Sequence, residues 1–110
     1  MEITEERRAD GLVLHVIGKL NASTSKGLEA KLLALIAAGQ EKLVIDLSQL
    51  DYVSSAGLHV FLLGAKRMEE AKGRIILCSL KPEIKHVFDI AGASSLLTLA
   101  ASIEEASKNL

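Results

Sequence analysis

Apolar residues change their spacing several times along this chain, and each spacing predicts a different element. A mostly polar segment comes first, and Asp10-Gly11 separates it from the apolar run LVLHVIG. A hairpin turn there would join a solvent-facing first strand to a more buried second strand. The next apolar residues recur at helical spacing and predict a helix ended by Gly39, with its apolar face at Leu28, Leu32, Leu35 and Ile36. Hydroxyl side chains before this helix are candidates for its N-cap, at Ser23, Thr24 and Ser25.

The second half of the chain alternates short apolar runs with helical segments. KLVIDL and RIILCSL are short and nearly all apolar, as expected for central strands covered on both sides. A helix follows the first run after the segment DYVSS, and another follows the second run, beginning near Pro82 and ending at Gly92. The run SLLTLA predicts a short strand, and the capping-box spacing of Ser102 and Glu105 predicts a last short helix. The pattern therefore predicts an α/β fold, a mixed sheet of about five strands covered by about four helices.

Length and charge limit the class of protein. A chain of 110 residues suits a single domain over residues 1–110. Its 13 basic and 14 acidic residues nearly cancel, which leaves no electrostatic footprint for nucleic acid or an anionic membrane. We therefore expect no nucleic acid and no membrane among its partners, which should be proteins or small molecules.

The expected location follows from the N-terminus and the single cysteine. The first residues lack the basic-then-apolar order of a signal peptide, and no apolar run approaches the roughly 20 residues of a membrane span. Cys78 lies inside an apolar run, which favours a buried small side chain over a reactive thiol and fits a reducing compartment. These features predict a cytoplasmic protein.

Conventional enzyme signatures are missing from the sequence. The Ser54-Ser55 pair lacks the G-x-S-x-G elbow of hydrolases, and neither a Walker loop nor G-x-G-x-x-G occurs. Asp46 ends a predicted strand, where a turn role is favoured over metal binding. The histidines are far apart and match no zinc motif, at His15, His59 and His86. We therefore expect a non-enzymatic protein without a metal or cofactor.

The junction between the KLVIDL strand and the next helix contains two adjacent serines. Either Ser54 or Ser55 could be an N-cap that accepts a hydrogen bond from the first turn. The functional alternative is a regulatory site, because Ala56 and Gly57 leave space for another protein to approach. A phosphoryl group at the helix N-terminus would add about two negative charges without opposing the helix dipole. Local pattern alone does not separate the two serines.

The whole chain resembles a known family in four segments. These are GKLNASTS, LVIDLSQLDYVSSAGL, GRIILCSLKPEIKHVFDIAG and the terminal SIEEA. They are similar to the anti-sigma factor antagonists, the single STAS domains of bacterial partner-switching systems. The resemblance implies that the unphosphorylated protein binds an anti-sigma factor that is also a serine kinase. It further implies that this kinase phosphorylates the serine two residues before the motif glycine, here Ser55, and that a PP2C-type phosphatase reverses the step.

The same resemblance implies a partner-binding surface around the phosphorylated serine. The kinase supplies the ATP and magnesium, so no cofactor is implied for this chain. The residues that the resemblance places on the partner surface are Asn21, Ser54, Ser55, Ala56, Gly57, Leu58 and His59. Two positions depart from the family pattern, because Ser54 replaces a common Asp and the G-E-L-D segment reads Gly18-Lys19-Leu20-Asn21.

The helix after Ser55 is apolar almost all round in its first half. Leu58, Val60, Phe61 and Leu63 cannot all face one sheet. Some of them could form an apolar contact surface beside Ser55, or a neighbouring helix could cover them.

Two other functions are compatible with a STAS domain. The partner switch could control a non-sigma output such as secretion, motility or biofilm formation. Alternatively, the chain could be a ligand-binding or structural STAS subunit that uses its serine merely as a helix cap.

Overall fold

A computed structural model describes all residues, 1–110. The chain contains six strands and four α-helices, with one turn of 3-10 helix at Ala93–Ser95. The strands are β1 (Glu2–Arg8), β2 (Gly11–Leu20), β3 (Lys42–Asp46), β4 (Leu50–Val53), β5 (Arg74–Cys78) and β6 (Leu99–Ala100). The helices are α1 (Ser25–Ala37), α2 (Ser55–Glu70), α3 (Pro82–Ile90) and α4 (Ile103–Lys108).

The sheet is mixed, as the apolar pattern predicts. Its strands lie in the order β1-β2-β3-β5-β6, where β1 is antiparallel to β2 and the other pairs are parallel. No residue of the first strand is buried, whereas five of the ten residues of the second are, as predicted for a more exposed and a more buried strand. The hairpin loop consists of Ala9 and Asp10, and Gly11 begins β2. The predicted α/β class and element order are confirmed.

One strand was not predicted. The four residues of β4 pair in parallel with the end of β2, after a register shift between Gly18 and Lys19. Only Leu50 and Val53 of β4 are buried, while the two residues between them are exposed. Such a short strand has neither a continuous apolar run nor a period-2 alternation, so its formation depends on the neighbouring β2.

Helices cover the two faces of the sheet unequally. The larger apolar cluster joins one face to α1, α2 and α3, and it includes a tilted ring pair in which the centroids of Phe61 and Phe88 are 5.9 Å apart. The smaller cluster on the other face contains Val13, Val44 and Ile76 beneath Ala106 of α4. The alternation of β2, with Leu12 and Leu14 in the larger cluster, places these clusters on opposite faces.

The apolar first half of α2 is covered within the chain. Leu58, Val60 and Phe61 are buried, and Leu63 is half-buried. The axis of α2 approaches α1 closely, because a Cβ added at Gly64 would lie 3.0 Å from Leu32 Cδ1. Of the two explanations offered by the sequence, coverage by a neighbouring helix is therefore the one that the fold adopts.

A hydrogen-bonded network ties the first three strands together on the α4 face. The His15 ring lies between two carboxylates, with Nδ1 2.7 Å from Asp46 Oδ2 and Nε2 3.0 Å from Glu6 Oε1. Asp46 also accepts hydrogen bonds from the backbone N–H and the hydroxyl of Ser48. Asp46, for which the sequence favoured a turn role over metal binding, therefore accepts hydrogen bonds both within its turn and from His15. Arg8 Nε donates to the other oxygen of Glu6 at 2.7 Å.

The network shifts the pKa values of His15 and Glu6 in opposite directions. Burial, the largest influence, lowers the pKa of His15, but hydrogen bonds to Glu6 and Asp46 and their charges outweigh it and raise the pKa above the usual histidine value. The hydrogen bond from Arg8, followed by that from His15, lowers the pKa of Glu6. The protonated imidazole and the ionised carboxylate therefore stabilise each other in the folded state.

We expect the contribution of His15 to stability to decrease as pH rises. Its folded pKa lies above the unfolded value of about 6.5, so the stabilisation is complete below that value and is lost as pH rises through the folded pKa. Glu6 contributes fully above its unfolded pKa of about 4.5, and its contribution is lost as pH falls through its lower folded pKa. In urea unfolding, His15→Gln should lower the free energy of unfolding more at about pH 5.5 than at about pH 9.

The matched control is His86→Gln, because His86 is exposed on α3. This substitution should have the same small effect at both pH values. An effect of His15→Gln that is equal at the two pH values, or larger at the higher one, would contradict the charged network.

Cys78 is fully buried at the end of β5. Burial is the main cause that raises the pKa of its thiol to about 11. A thiol with this pKa is almost entirely protonated at neutral pH, so it packs as a small apolar side chain.

Candidate functional site

The predicted site lies where β2 and β4 end side by side. Leu20 and Val53 are opposite each other in this parallel pair, and the N–H of Ser54 donates to the Leu20 carbonyl at 2.8 Å. Asn21 and Ser54 follow these two strand ends directly, so the turn before α1 and the first turn of α2 meet at one edge. This pairing depends on β4, the strand that the sequence pattern did not predict.

The two serines of the junction have different structural roles. Ser54 has extended backbone angles (φ −91°, ψ 173°), and its Oγ accepts a hydrogen bond from the N–H of Gly57 at 3.2 Å. Ser55 is the first residue of α2, its side chain is exposed, and its hydroxyl makes no hydrogen bond within the chain. The cap is therefore Ser54, and the hydroxyl of Ser55 is free to react or to bind.

The end of α2 that carries Ser55 favours negative charge. The first backbone N–H groups of a helix have no acceptor within the helix, and the helix dipole places partial positive charge there. No acidic residue occupies the first turn of α2. An anionic group on Ser55 would therefore meet favourable local electrostatics in the folded chain.

Two predicted partner contacts lie beneath the surface instead of on it. Gly57 and Leu58 are buried. A Cβ added at Gly57 would lie 2.7 Å from Leu20 Cδ2 and 3.0 Å from Val53 Cγ2, so the helix packs directly on the β2–β4 pair. Gly57 and Leu58 therefore fix the position of the first turn and are not the surface contacts that the resemblance implied. The candidate residues that remain accessible are Asn21, Ser54, Ser55, Ala56 and His59.

Asn21 closes the turn that leads into α1. Its Oδ1 accepts hydrogen bonds from the N–H groups of Ser23 and Thr24, at 3.0 and 2.9 Å. Thr24 is at the N-cap position of α1, but its side chain makes no cap hydrogen bond. Instead, Thr24 Oγ1 accepts from the N–H of Asn21 and donates to the Lys19 carbonyl. Asn21 is exposed, and its Oδ1 already accepts the hydrogen bonds of this turn.

The site also includes residues that sequence reasoning did not select. Tyr52 of β4 is 49 % exposed, whereas both phenylalanines are buried. Lys19 of β2 is opposite Tyr52 in the register. Next to them, Asp51 accepts a hydrogen bond from Lys81 at 2.5 Å, which lowers the pKa of this carboxyl. An aromatic residue directly after an acidic one was the available signal, but its exposure depends on the missed strand.

The largest concavity is elsewhere. Its volume is about 400 Å³, and it lies at the ends of β5 and β6 between α3 and α4. Its two charged residues have partners within the chain, because Lys85 donates to Asp89 and Glu105 accepts from the N–H of Ala101. Neither Ser54 nor Ser55 lines it. No α-helix of the chain has both the length and the apolarity of a membrane span.

Comparison with known proteins identifies one family model. The STAS domain model matches residues 1–106. A Bordetella bronchiseptica protein named as an anti-sigma factor antagonist, BtrV, is 40 % identical over 106 residues, covering 96 % of this chain and 91 % of BtrV.

Solved structures have the same fold at lower identity. An anti-sigma factor antagonist from Mycobacterium paratuberculosis has a TM-score of 0.88 at 21 % identity, covering 98 % of this chain and 92 % of that one. SpoIIAA has been solved in two states. Its unphosphorylated form has a TM-score of 0.75 at 20 % identity, covering 98 % and 96 % of the two chains. The phosphorylated form, from Bacillus, has a TM-score of 0.73 at 23 % identity, covering 98 % of each chain.

Proposed function

Because this chain belongs to the STAS domain family, in which homologues are anti-sigma factor antagonists, we propose that it is a phosphorylation-controlled antagonist. In its unphosphorylated form it binds an anti-sigma factor that is also a serine kinase. Phosphorylation of Ser55 then releases the partner. The surface that carries this binding consists of Asn21, Ser54, Ser55, Ala56 and His59.

The proposal rests on the different structural roles of the two serines. Ser54 accepts the cap hydrogen bond from the N–H of Gly57, so modification of Ser55 would leave the N-cap of α2 in place. Ser55 is exposed and has no hydrogen bond within the chain. Ser55 can therefore be modified without loss of a hydrogen bond that stabilises the fold.

The chemistry of the step is a phosphoryl transfer. The kinase binds ATP and magnesium, and Ser55 Oγ attacks the γ-phosphorus while its proton passes to a base of the kinase. A new oxygen–phosphorus bond forms, the bond to the ADP oxygen breaks, and ADP leaves. A PP2C-type phosphatase would hydrolyse the phosphoserine and restore the hydroxyl. This chain supplies only the hydroxyl, so it needs no cofactor and acts as a substrate in a cytoplasmic circuit.

Phosphorylation of Ser55 should leave the fold intact but weaken partner binding. A phosphate on Ser55 gains from the positive end of α2, so the domain should keep its structure. In support, both the unphosphorylated and the phosphorylated SpoIIAA structures share the present fold. The partner instead meets about two new negative charges in the centre of its contact surface, which weakens the complex by desolvation and repulsion.

Phosphate mapping tests the site. The purified protein is incubated with its cognate kinase and ATP, and modified peptides are located by mass spectrometry. We expect phosphate on Ser55 and none in Ser55→Ala. Ser54→Ala should still be phosphorylated, although loss of its cap should lower the free energy of unfolding by about 1 kcal/mol.

Two results would contradict the proposal. One is phosphate confined to Ser54, and the other is a wild-type protein that binds the kinase yet acquires no phosphate. Recovery of the kinase from native cells without any sigma-associated protein would retain the switch but assign it a different output.

A further inference from the structure

An exposed aromatic side chain and unpaired positive charge lie together beside Ser55. Tyr52 is separated from Ser55 by two residues, at the end of the strand that leads into α2. Its neighbour Val53 is buried, whereas the Tyr52 side chain is half exposed and accessible beside the start of α2. An aromatic side chain that is half exposed beside a binding surface is typical of residues that dominate interface energy.

Positive charge lies beside Tyr52. Lys19 lies opposite Tyr52 on β2, is exposed and forms no ion pair. Lys26 is exposed in the first turn of α1, where a positive charge opposes the helix dipole, and it also forms no ion pair. The nearby carboxylate, Asp51, is paired with Lys81. Lys19 and Lys26 are therefore exposed lysines without an ion pair, whereas the single carboxylate of β4 is paired with Lys81.

We propose, on the basis of the function proposed above, that Tyr52 and Lys19 are part of the partner interface and that they select a protein surface with an apolar pocket bordered by carboxylates. Tyr52 fills the pocket, and Lys19 faces the carboxylates. Lys26 adds to the positive field that draws such a surface toward Ser55. Electrostatic complementarity of this kind acts mainly on the association rate and on the choice of partner.

An acidic partner surface also gives phosphorylation its effect. A phosphate on Ser55 would bring negative charge against the partner's carboxylates while attracting Lys19 within the chain. The same modification would thus repel the partner and neutralise the charge that attracts it. A basic partner surface would bind the phosphorylated form more tightly, which is the opposite of a release switch.

Binding of the unphosphorylated protein to its cognate kinase tests this assignment with matched controls. Tyr52→Ala should weaken binding by about tenfold or more, whereas Ile90→Ala, at another exposed apolar residue, should change it by less than about twofold. Lys19→Glu should also weaken binding by about tenfold or more, chiefly by slowing association at low salt. Lys42→Glu reverses an exposed charge at the start of β3 and should leave binding unchanged.

Thermal unfolding of each variant ensures that only folded proteins are compared. Lys19→Glu binding that equals or exceeds the wild type would overturn the acidic-partner assignment, as would a Tyr52→Ala effect no larger than that of Ile90→Ala. These outcomes are distinct from failure of the proposed function. If the proposed function is wrong, the wild-type protein will not bind the kinase or will not acquire phosphate on Ser55.

Discussion

Ser55→Asp is expected to bind the kinase partner at least about 100-fold more weakly than the wild type, a loss of about 2.7 kcal/mol of binding free energy. The carboxylate places a fixed negative charge at the exposed first residue of α2, in the middle of the proposed contact surface. Ser55→Ala removes only a hydroxyl that has no partner within the chain, so it should bind like the wild type and should not be released by ATP. Calorimetry or surface plasmon resonance with the purified kinase would measure both affinities.

The control for an added charge is Ser95→Asp, because Ser95 is an exposed serine in the 3-10 helix. This variant should bind within about twofold of the wild type. Circular dichroism should show that all three variants are folded. An acidic residue at the start of α2 is electrostatically favoured, and the other two substitutions are at exposed serines. Undiminished binding by Ser55→Asp and by the phosphorylated wild type would exclude Ser55 as the switch.

Gly57→Ala should destabilise the protein by about 1–3 kcal/mol, because the new methyl group must enter an already packed region. Its Cβ would lie 2.7 Å from Leu20 Cδ2 and 3.0 Å from Val53 Cγ2, and both of these side chains are buried. The same change in an unobstructed helix normally stabilises by up to about 1 kcal/mol, since alanine has the higher helix propensity. Packing and propensity therefore oppose each other here, and we expect packing to dominate.

Gly27→Ala is the matched control, because Gly27 is the third residue of α1 just as Gly57 is the third residue of α2. A Cβ at Gly27 would meet only Met1 Cε, at 3.9 Å. This variant should be as stable as the wild type or more stable by up to about 1 kcal/mol. Urea unfolding measures both. Equal changes in the two variants would show that the first turn of α2 is not packed as tightly on β2 and β4 as described.

Most of the architecture could be predicted from local pattern. Apolar runs predicted the central strands, and the 3.6-residue period predicted the helices, because burial of one face imposes these periods on any sequence that folds. Local pattern did not predict β4, whose partner β2 is distant in sequence, and it did not decide which side chain closes the turn before α1. Asn21 closes that turn through its side-chain carbonyl, although three nearby hydroxyls were the expected caps. All four residues can accept such a hydrogen bond, so only the conformation of the turn decides among them.

The sequence by itself determined the α/β class, the order of the helices and strands outside β4, and a serine pair before a glycine at the start of α2. Resemblance to a family then selected Ser55 over Ser54. Tertiary structure decided what periodicity cannot encode. It paired β4 with β2, assigned the cap to Ser54, buried Gly57 and Leu58, and left Tyr52 exposed beside Lys19. The physical reason is that these properties depend on which side of a residue is covered by a segment far away in the chain.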